Sequence, residues 1–144
     1  MAAPVIAAGL LFACTPTYVA DGDGPIWCAE GPRIRLAGIA ARERDGSCRP
    51  GHPCPTASAD AAMSALVGLL GGSRGRVRFR GARFDHARVR APTMRCLSSG
   101  NGKGARTAAF CQLADGRNLN CAMLATRTVV RWDRYWRSEM KCPR

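Results

Sequence analysis

Three residues between positions 18 and 43 have the chemistry that cleavage of a phosphodiester requires. Asp23 belongs to an Asp-Gly-Asp turn, Arg35 lies in a strand of alternating apolar residues, and Glu43 follows that strand. A guanidinium can bind a phosphate through two parallel hydrogen bonds, and a carboxylate can orient a water molecule for attack. One guanidinium and two acids at strand ends therefore predict hydrolysis of a phosphodiester. Simpler explanations exist for the acids, because Asp-Gly is a common hairpin turn and Glu43 lies in a charged run suited to ion pairing.

The charge of the chain indicates the class of partner. Its 144 residues include 22 Lys and Arg against 10 Asp and Glu, which gives a net charge of +12 and a pI near 10.4. Arginine predominates, and its planar guanidinium suits phosphate. We therefore expect DNA or RNA as the partner. A solubilising surface charge and attraction to an anionic membrane are the alternatives.

Length and composition predict a single folded domain. A chain of 144 residues is long enough for one core and too short for two. The hydrophobic share of 47% is too high for general disorder. We interpret residues 1–9 as a leader remnant or a disordered N-terminus, and residues 10–144 as the domain. No run of residues is long enough to span a bilayer, and we expect a monomer.

The eight cysteines predict four disulfides, and hence a periplasmic or secreted protein, because disulfides persist in oxidising compartments. Hairpin geometry proposes their pairing: two pairs meet across predicted turns, a third closes a short loop, and the fourth ties the C-terminal tail to the preceding helix. In that order the pairs are Cys14–Cys28, Cys96–Cys111, Cys48–Cys54 and Cys121–Cys142. The rival interpretation is structural zinc, since His52 lies between Cys48 and Cys54, but no pair of CxxC motifs supports it.

The elements that must position these residues are mostly strands. Predicted strands cover residues 10–18, 33–39 and 76–80, and a hairpin joins residues 89–96 to 107–113 across a glycine-rich turn. Ser58 can cap a helix that runs to about Leu70 with one apolar stripe, Asn118 can cap a shorter helix, and Asp133 can open a final helical turn. Short strands with a helix inserted after the third predict an α+β, mainly β fold. The expected form is an OB-type five-stranded barrel with two or three helices, stapled by disulfides.

Several motifs occur in an order that is more specific than any one of them. They are Asp21-Gly22-Asp23, Arg33-Ile34-Arg35-Leu36-Ala37-Gly38-Ile39, Glu43, Gly104-Ala105-Arg106-Thr107, and Ala114-Asp115-Gly116 followed by a helix from Leu119 to Leu124. With this set around an amphipathic helix, the chain resembles the staphylococcal-nuclease (thermonuclease) family from about Leu10 to Trp136. A lone Asp-Gly-Asp would be weak evidence, whereas the ordered set is strong.

The resemblance implies calcium-dependent cleavage of DNA and RNA by an activated water molecule. It assigns metal binding to Asp23, contact with the scissile phosphate to Arg35, and positioning or deprotonation of the water to Glu43. It also assigns stabilisation of the charged transition state to Arg106. Two guanidiniums can bind a pentacoordinate phosphate, which agrees with these roles.

The chain departs from the family pattern at the implied metal site. Ala40 occupies the position just after Ile39 where the family has a second metal-binding aspartate, and Arg42 adds a positive charge nearby. Calcium prefers six to eight oxygen ligands, so one direct carboxylate from Asp23 predicts weak binding. Asp21 or Asp45 are the residues that can compensate.

Two other functional classes remain open. One is a catalytically weak or inactive OB domain that binds nucleic acid through an arginine-rich surface; the other is a disulfide-stapled protein–protein module. The histidines are predicted to lie at the surface. Four large aromatic residues are predicted to be core or packing residues rather than platforms that stack on bases: Trp27, Trp132, Tyr135 and Trp136.

Overall fold

The computed structural model describes residues 3–143 and is mainly β, with two α-helices. The helices are α1 (Ala59–Leu69) and α2 (Leu119–Ala125), and a 3-10 turn covers Asp133–Tyr135. The strands of the described residues are short. They are β1 (Leu11–Cys14), β2 (Pro16–Val19), β3 (Ile26–Cys28), β4 (Arg33–Leu36), β5 (Ile39–Ala40), β6 (Arg76–Val77), β7 (His86–Arg88), β8 (Met94–Asn101), β9 (Thr107–Gln112) and β10 (Val130–Arg131).

Eight strands form one sheet, and β5 pairs separately with β10. The order in the large sheet is β1-β8-β9-β4-β3-β2-β7-β6, with β4 and β9 parallel and the other pairs antiparallel. This order has β1 and β6 at its two ends and does not close on itself. The predicted OB-type five-stranded barrel is therefore not confirmed, whereas the mainly β fold is.

The predicted strand boundaries shift where the backbone bends. Thr15 divides the predicted first strand into β1 and β2, and the turn at Ala37 and Gly38 separates β4 from β5. Gly38 has a φ of +73° and lies against Trp136, so both its conformation and its surroundings suit glycine. The turn redirects the chain after Leu36, so that the Ala41 N–H reaches Asp23, three residues before β3.

The core lies between the inner face of the sheet and the two helices. One fully buried row crosses four strands and consists of Ile34, Ile26, Val19 and Ala87. The predicted apolar stripe of α1 is confirmed, because its members are buried: Met63, Leu66, Val67 and Leu70. Ser58 caps α1 by accepting a hydrogen bond of 3.1 Å from the backbone N–H of Ala61, and Asn118 caps α2 in the same way.

Four disulfides join all eight cysteines in the predicted pairs. Cys96 and Cys111 lie directly opposite one another on β8 and β9, as hairpin geometry requires. The bond between Cys48 and Cys54 occupies both thiols, which excludes the zinc interpretation of that loop. None of the helices within residues 3–143 is long and apolar enough to cross a membrane.

The N-terminal residues that precede the predicted domain are joined to the sheet. Ser98 Oγ donates a hydrogen bond of 2.7 Å to the carbonyl of Ile6, and the Gly9 N–H donates one of 2.9 Å to the Ser98 carbonyl. The Ile6 N–H also donates to Thr107 Oγ1, at 3.0 Å. Residues 6–9, predicted as a leader remnant or disordered segment, thus lie against β8 and β9.

Candidate functional site

An ion pair between Asp23 and Arg35 forms the centre of the candidate site. Arg35 Nη2 donates to Asp23 Oδ2 at 3.3 Å, and each side chain is 16% exposed. The Ala41 N–H donates to the same oxygen at 3.3 Å, while the Leu36 N–H donates to the Asp23 carbonyl at 2.9 Å. The turn before β3, the middle of β4 and the end of β5 therefore meet at one carboxylate, and two of the predicted site residues are in contact.

Asp21 is a second carboxyl at this point, and its environment favours the protonated form. Burial and the nearby charge of Asp23 raise the pKa of Asp21 to about 7, against the opposing effects of the Gly22 N–H and Arg44. Burial also raises the pKa of Asp23, although Arg35 and the Ala41 N–H oppose the shift. A carboxyl that titrates near neutral pH can exchange a proton with a reacting oxygen.

Glu43 lies close enough to Asp21 to influence its titration. Its charge contributes to the raised pKa of Asp21. Glu43 Oε1 lies 3.4 Å from Arg49 Nε, and the Glu43 side chain is 31% exposed. An ion pair this accessible to water contributes little stability, so Glu43 can leave Arg49 at small cost.

Arg106 is brought to the site by the parallel pairing of β4 with β9. Ile34 pairs with Thr107, which places the preceding residue, Arg106, near the start of β4. The charge of Arg106 lowers the pKa of Asp23, so its guanidinium lies within electrostatic range of the central carboxylate. All four residues predicted from the sequence, Asp23, Arg35, Glu43 and Arg106, therefore belong to one neighbourhood.

Other charged residues near the site have structural partners. Arg42 donates to the carbonyls of Gly46 and Pro55 at 2.8 and 2.7 Å, so its guanidinium fastens the disulfide loop. Asp45 accepts hydrogen bonds from Ser47 and lies 3.9 Å from Arg83, so its partners differ from those of the two buried aspartates.

The carboxylates suit weak rather than tight binding of a divalent cation. Ala40 is buried and pairs with Val130, and it has no oxygen in its side chain to offer. Among residues 3–143, no group of three or more His, Cys, Asp and Glu side chains is arranged to hold a metal ion. Asp21 and Asp23 nevertheless concentrate two acids in a half-buried place. Burial raises the pKa of both carboxyls, and the charge of Asp23 raises the pKa of Asp21 further. A cation there would relieve that cost, with water as its remaining ligands.

A cavity of about 370 Å³ opens beside Arg35. Its wall includes His52, Lys103, Trp132 and Tyr135. The Trp132 ring centroid lies 5.6 Å from the Arg35 guanidinium carbon, 4.3 Å from the His52 ring and 4.7 Å from the Tyr135 ring. The cavity thus joins aromatic surface to three basic side chains.

The sequence pattern does not assign these cavity residues to the site, because it predicts that the aromatic ones pack in the core and that His52 lies at the surface. The sequence does contain a pattern that could have indicated them. In residues 131–136, Arg-Trp-Asp-Arg-Tyr-Trp, basic and aromatic residues are interspersed. Such interleaving is typical of surfaces that contact nucleic acid. Only the fold places this segment beside Arg35.

No protein-family model matches this chain, and no curated protein or solved structure matches it either. The resemblance to the staphylococcal-nuclease family therefore stays a prediction that rests on the motifs of the sequence.

Proposed function

We propose that this protein is a thermonuclease-like endonuclease that hydrolyses phosphodiester bonds of DNA or RNA. The observation that supports this most is the half-buried Asp23–Arg35 ion pair at the edge of a cavity with aromatic and basic walls. The high positive charge of the chain suits a polyanionic substrate.

The side chains divide the chemistry between them. Arg35 exchanges its ion pair with Asp23 for the substrate phosphate, and Arg106 approaches the same phosphate from β9. Both guanidiniums then stabilise the charge that develops in the transition state. Glu43, released from Arg49, orients the attacking water or accepts its proton. As the water oxygen bonds to phosphorus, the bond from phosphorus to the leaving sugar oxygen breaks, and that oxygen takes up a proton from solvent.

Asp21 and Asp23 would hold a divalent cation, with calcium as the expected ion. A bound calcium ion would supply positive charge to the phosphoryl oxygens. Departure of Arg35 to the substrate leaves the Asp23 carboxylate uncompensated, which favours a cation at that moment. We therefore expect the cation to bind more tightly when a nucleotide is present.

In this proposal, the cavity holds a nucleotide that lies next to the cleaved bond. Trp132 and Tyr135 offer ring surface to a base, and Lys103 offers a charge to a phosphate.

We also propose that the strands form an OB-type barrel. Thr15 alone separates β1 from β2, so residues 11–19 act as one strand that pairs with β8 at one end and with β3 at the other.

The four disulfides support an extracytoplasmic location, periplasmic or secreted, as a further part of the proposal. A net charge of +12 disfavours self-association, which supports a monomer.

The direct test is incubation of the purified protein with plasmid DNA and with RNA, first with calcium and then with a chelator. We expect cleavage with calcium. Glu43→Gln should lower the rate at least about a hundredfold, because general acid–base groups typically contribute that much. Glu139→Gln is the matched control, since Glu139 is exposed and pairs with Arg137 far along the chain. Equal rates for wild type and Glu43→Gln would contradict the role of Glu43.

The second candidate is an inactive domain that binds nucleic acid without cleaving it. It is favoured by the state of Asp23, whose carboxylate already accepts from Arg35 and Ala41, and by the apolar side chain at position 40. In that case the protein should bind DNA and RNA with strong salt dependence and leave both intact with or without calcium.

A further inference from the structure

We infer that the outer face of β2, β3, β4 and β7 binds the phosphate backbone of a nucleic acid strand and leads that strand to Arg35. We call it the arginine face; Arg33, Trp27, Tyr18 and Arg88 form its central row. The inference rests on the proposed function, since it extends the substrate path beyond the Asp23–Arg35 site.

The strand register places these four residues in one row. Arg33 pairs with Trp27, Trp27 with Tyr18, and Tyr18 with Arg88. The adjacent row is the fully buried one that contains Ile26. Because side chains alternate between the two faces of a sheet, the Arg33–Arg88 row points outward. Three strand spacings separate its ends, which is about 14 Å.

The aromatic residues of this face support the arginines and are not open to bases. The Arg33 guanidinium carbon lies 4.0 Å from the Trp27 ring centroid, and the Phe79 ring stacks on Trp27 at 4.6 Å and 27°. Two groups cannot share one ring face at such distances, so both faces of Trp27 are covered. Tyr18 and His86 meet Phe79 edge-on and complete the cluster. The surface therefore offers cations in fixed positions, which suits phosphate rather than bases.

Within residues 3–143, the arginines at both ends of the row have no carboxylate partner. None of the ion pairs of that part of the chain includes Arg33 or Arg88, and Arg88 is exposed. Asp85 is paired with Arg78 at 2.8 Å. An unpaired guanidinium can bind a phosphate through two parallel hydrogen bonds, and its weak hydration lowers the cost of doing so.

The row is continuous with the candidate site. Arg33 and Arg35 alternate with buried Ile34 and Leu36, so both arginines point outward from β4, about 7 Å apart. A nucleic acid strand whose phosphates contact Arg88 and then Arg33 therefore reaches Arg35 next. An anionic membrane is the weaker alternative, because the aromatic rings of this face pack against one another and leave nothing to insert into lipid.

The test is binding of a fluorescently labelled single-stranded oligonucleotide in the presence of a chelator, followed by anisotropy as the salt concentration rises. Arg33→Gln with Arg88→Gln should lower the affinity at least about tenfold at 0.1 M salt. It should also flatten the slope of log K against log salt by about 1.4, since each phosphate contact on a single strand contributes about 0.7. The matched control replaces Arg95 and Arg127, two exposed arginines that are also outside the ion pairs of residues 3–143. The slope of the control should differ from the wild-type slope by no more than about 0.7, which is the contribution of one phosphate contact.

A second double variant, Arg33→Lys with Arg88→Lys, separates charge from packing. Its affinity should lie between those of the wild type and the glutamine variant, because lysine keeps the charge but not the paired hydrogen bonds of the guanidinium. All variants should keep the thermal midpoint within a few degrees. The inference is overturned if the lysine variant binds as poorly as the glutamine variant, or if the control loses as much affinity. The inference is also overturned if the glutamine variant loses binding to anionic lipid vesicles but does not lose binding to the oligonucleotide.

Cleavage provides an arm that distinguishes this inference from the proposed nuclease activity. A dinucleotide can occupy the site but is too short to reach Arg88, which lies about 14 Å from Arg33 at the far end of the row. If the protein cleaves, the Arg33 and Arg88 glutamine variant should lower kcat/KM more for the long oligonucleotide than for the dinucleotide, because only the long substrate spans both arginines. If the protein does not cleave, the nuclease proposal fails, and the binding experiment still decides on the arginine face.

Discussion

Asp23 and Arg35 form an ion pair at the centre of the site. A ligand of either side chain must therefore replace the other side chain as its partner. Each is only 16% exposed, so separating them leaves a poorly hydrated charge on both. A phosphate and a cation together can replace both partners at once, whereas either ligand alone compensates only one. In the proposed nuclease, the pair would therefore make joint binding of substrate and cation more favourable than binding of either by itself.

Asp21 makes the stability of the protein depend on pH. Its pKa is raised to about 7 in the folded protein, from 3.8 in the unfolded chain. The folded state thus binds more protons than the unfolded state between these values, and stability from this group falls as the pH rises from about 4 to about 7. Asp21→Asn removes the titration and keeps an oxygen for the Gly22 N–H. The variant should gain stability relative to wild type as the pH rises, by up to about 4 kcal/mol at pH 8.

Urea unfolding in a chelating buffer at several pH values measures this difference. Asp115→Asn is the control, because Asp115 is exposed and its bonds to Arg117 lower its pKa. Its effect should not change between about pH 5 and pH 8. A difference between Asp21→Asn and wild type that stays constant or shrinks with rising pH would contradict the raised pKa.

For single residues, the sequence shows which side chains the candidate site contains but not which side chains they pair with. Asp23, Arg35, Glu43 and Arg106 have the side chains that the predicted chemistry needs. The ion pair of Glu43, expected within its own charged run, is made with Arg49 six residues away. That choice depends on how the disulfide loop folds back, which no local pattern of charges determines.

At the scale of elements, the Asp-Gly-Asp turn is fixed by its contact with α1. A side chain at Gly22 would meet the Cβ of Ala62 and lie 2.9 Å from the Ala62 carbonyl carbon. The glycine therefore lets the turn rest on the helix and carry Asp21 and Asp23 on either side. The sequence indicates a turn here, but the need for glycine arises from tertiary packing.

Gly22→Ala should consequently destabilise the protein by about 1–3 kcal/mol, the usual cost of forcing an extra methyl into a packed region. Gly68→Ala is a matched control within α1, because nothing lies within 4 Å of a Cβ at that position. The control should stabilise the protein by about 0.5–1 kcal/mol, since alanine favours the helix. Thermal and urea unfolding measure both changes. A neutral Gly22→Ala would show that the turn does not rest on α1.

Elements with their own local signal were predicted well, and those that depend on distant partners were not. The helix from Ser58 carries a cap and an apolar stripe, and it was predicted almost to the residue. The strand predicted over residues 76–80 is reduced to Arg76–Val77. Phe79 instead turns to stack on Trp27, and that contact outweighs the alternation of the sequence.

At the scale of the whole molecule, the four disulfides close loops of different length, so their contributions should differ. Cys121–Cys142 spans 21 residues and Cys48–Cys54 spans six. Because the entropy that a cross-link removes from the unfolded chain grows with the logarithm of loop length, the longer loop should contribute about 1 kcal/mol more. Replacing each pair of cysteines by serine and measuring urea unfolding tests the ranking. The reverse ranking would contradict the chain-entropy argument for this protein.

Local patterns and composition suffice to predict the mainly β class, the two capped helices, the four cysteine pairs and the cationic character. They do not predict that Asp23 binds Arg35, that the segment with Trp132 lines a cavity beside them, or that Arg33 and Arg88 share one outward row. Those relations depend on strand register and on the packing of residues far apart in the chain. The same alternating strands in another register would carry the same charges to different neighbours.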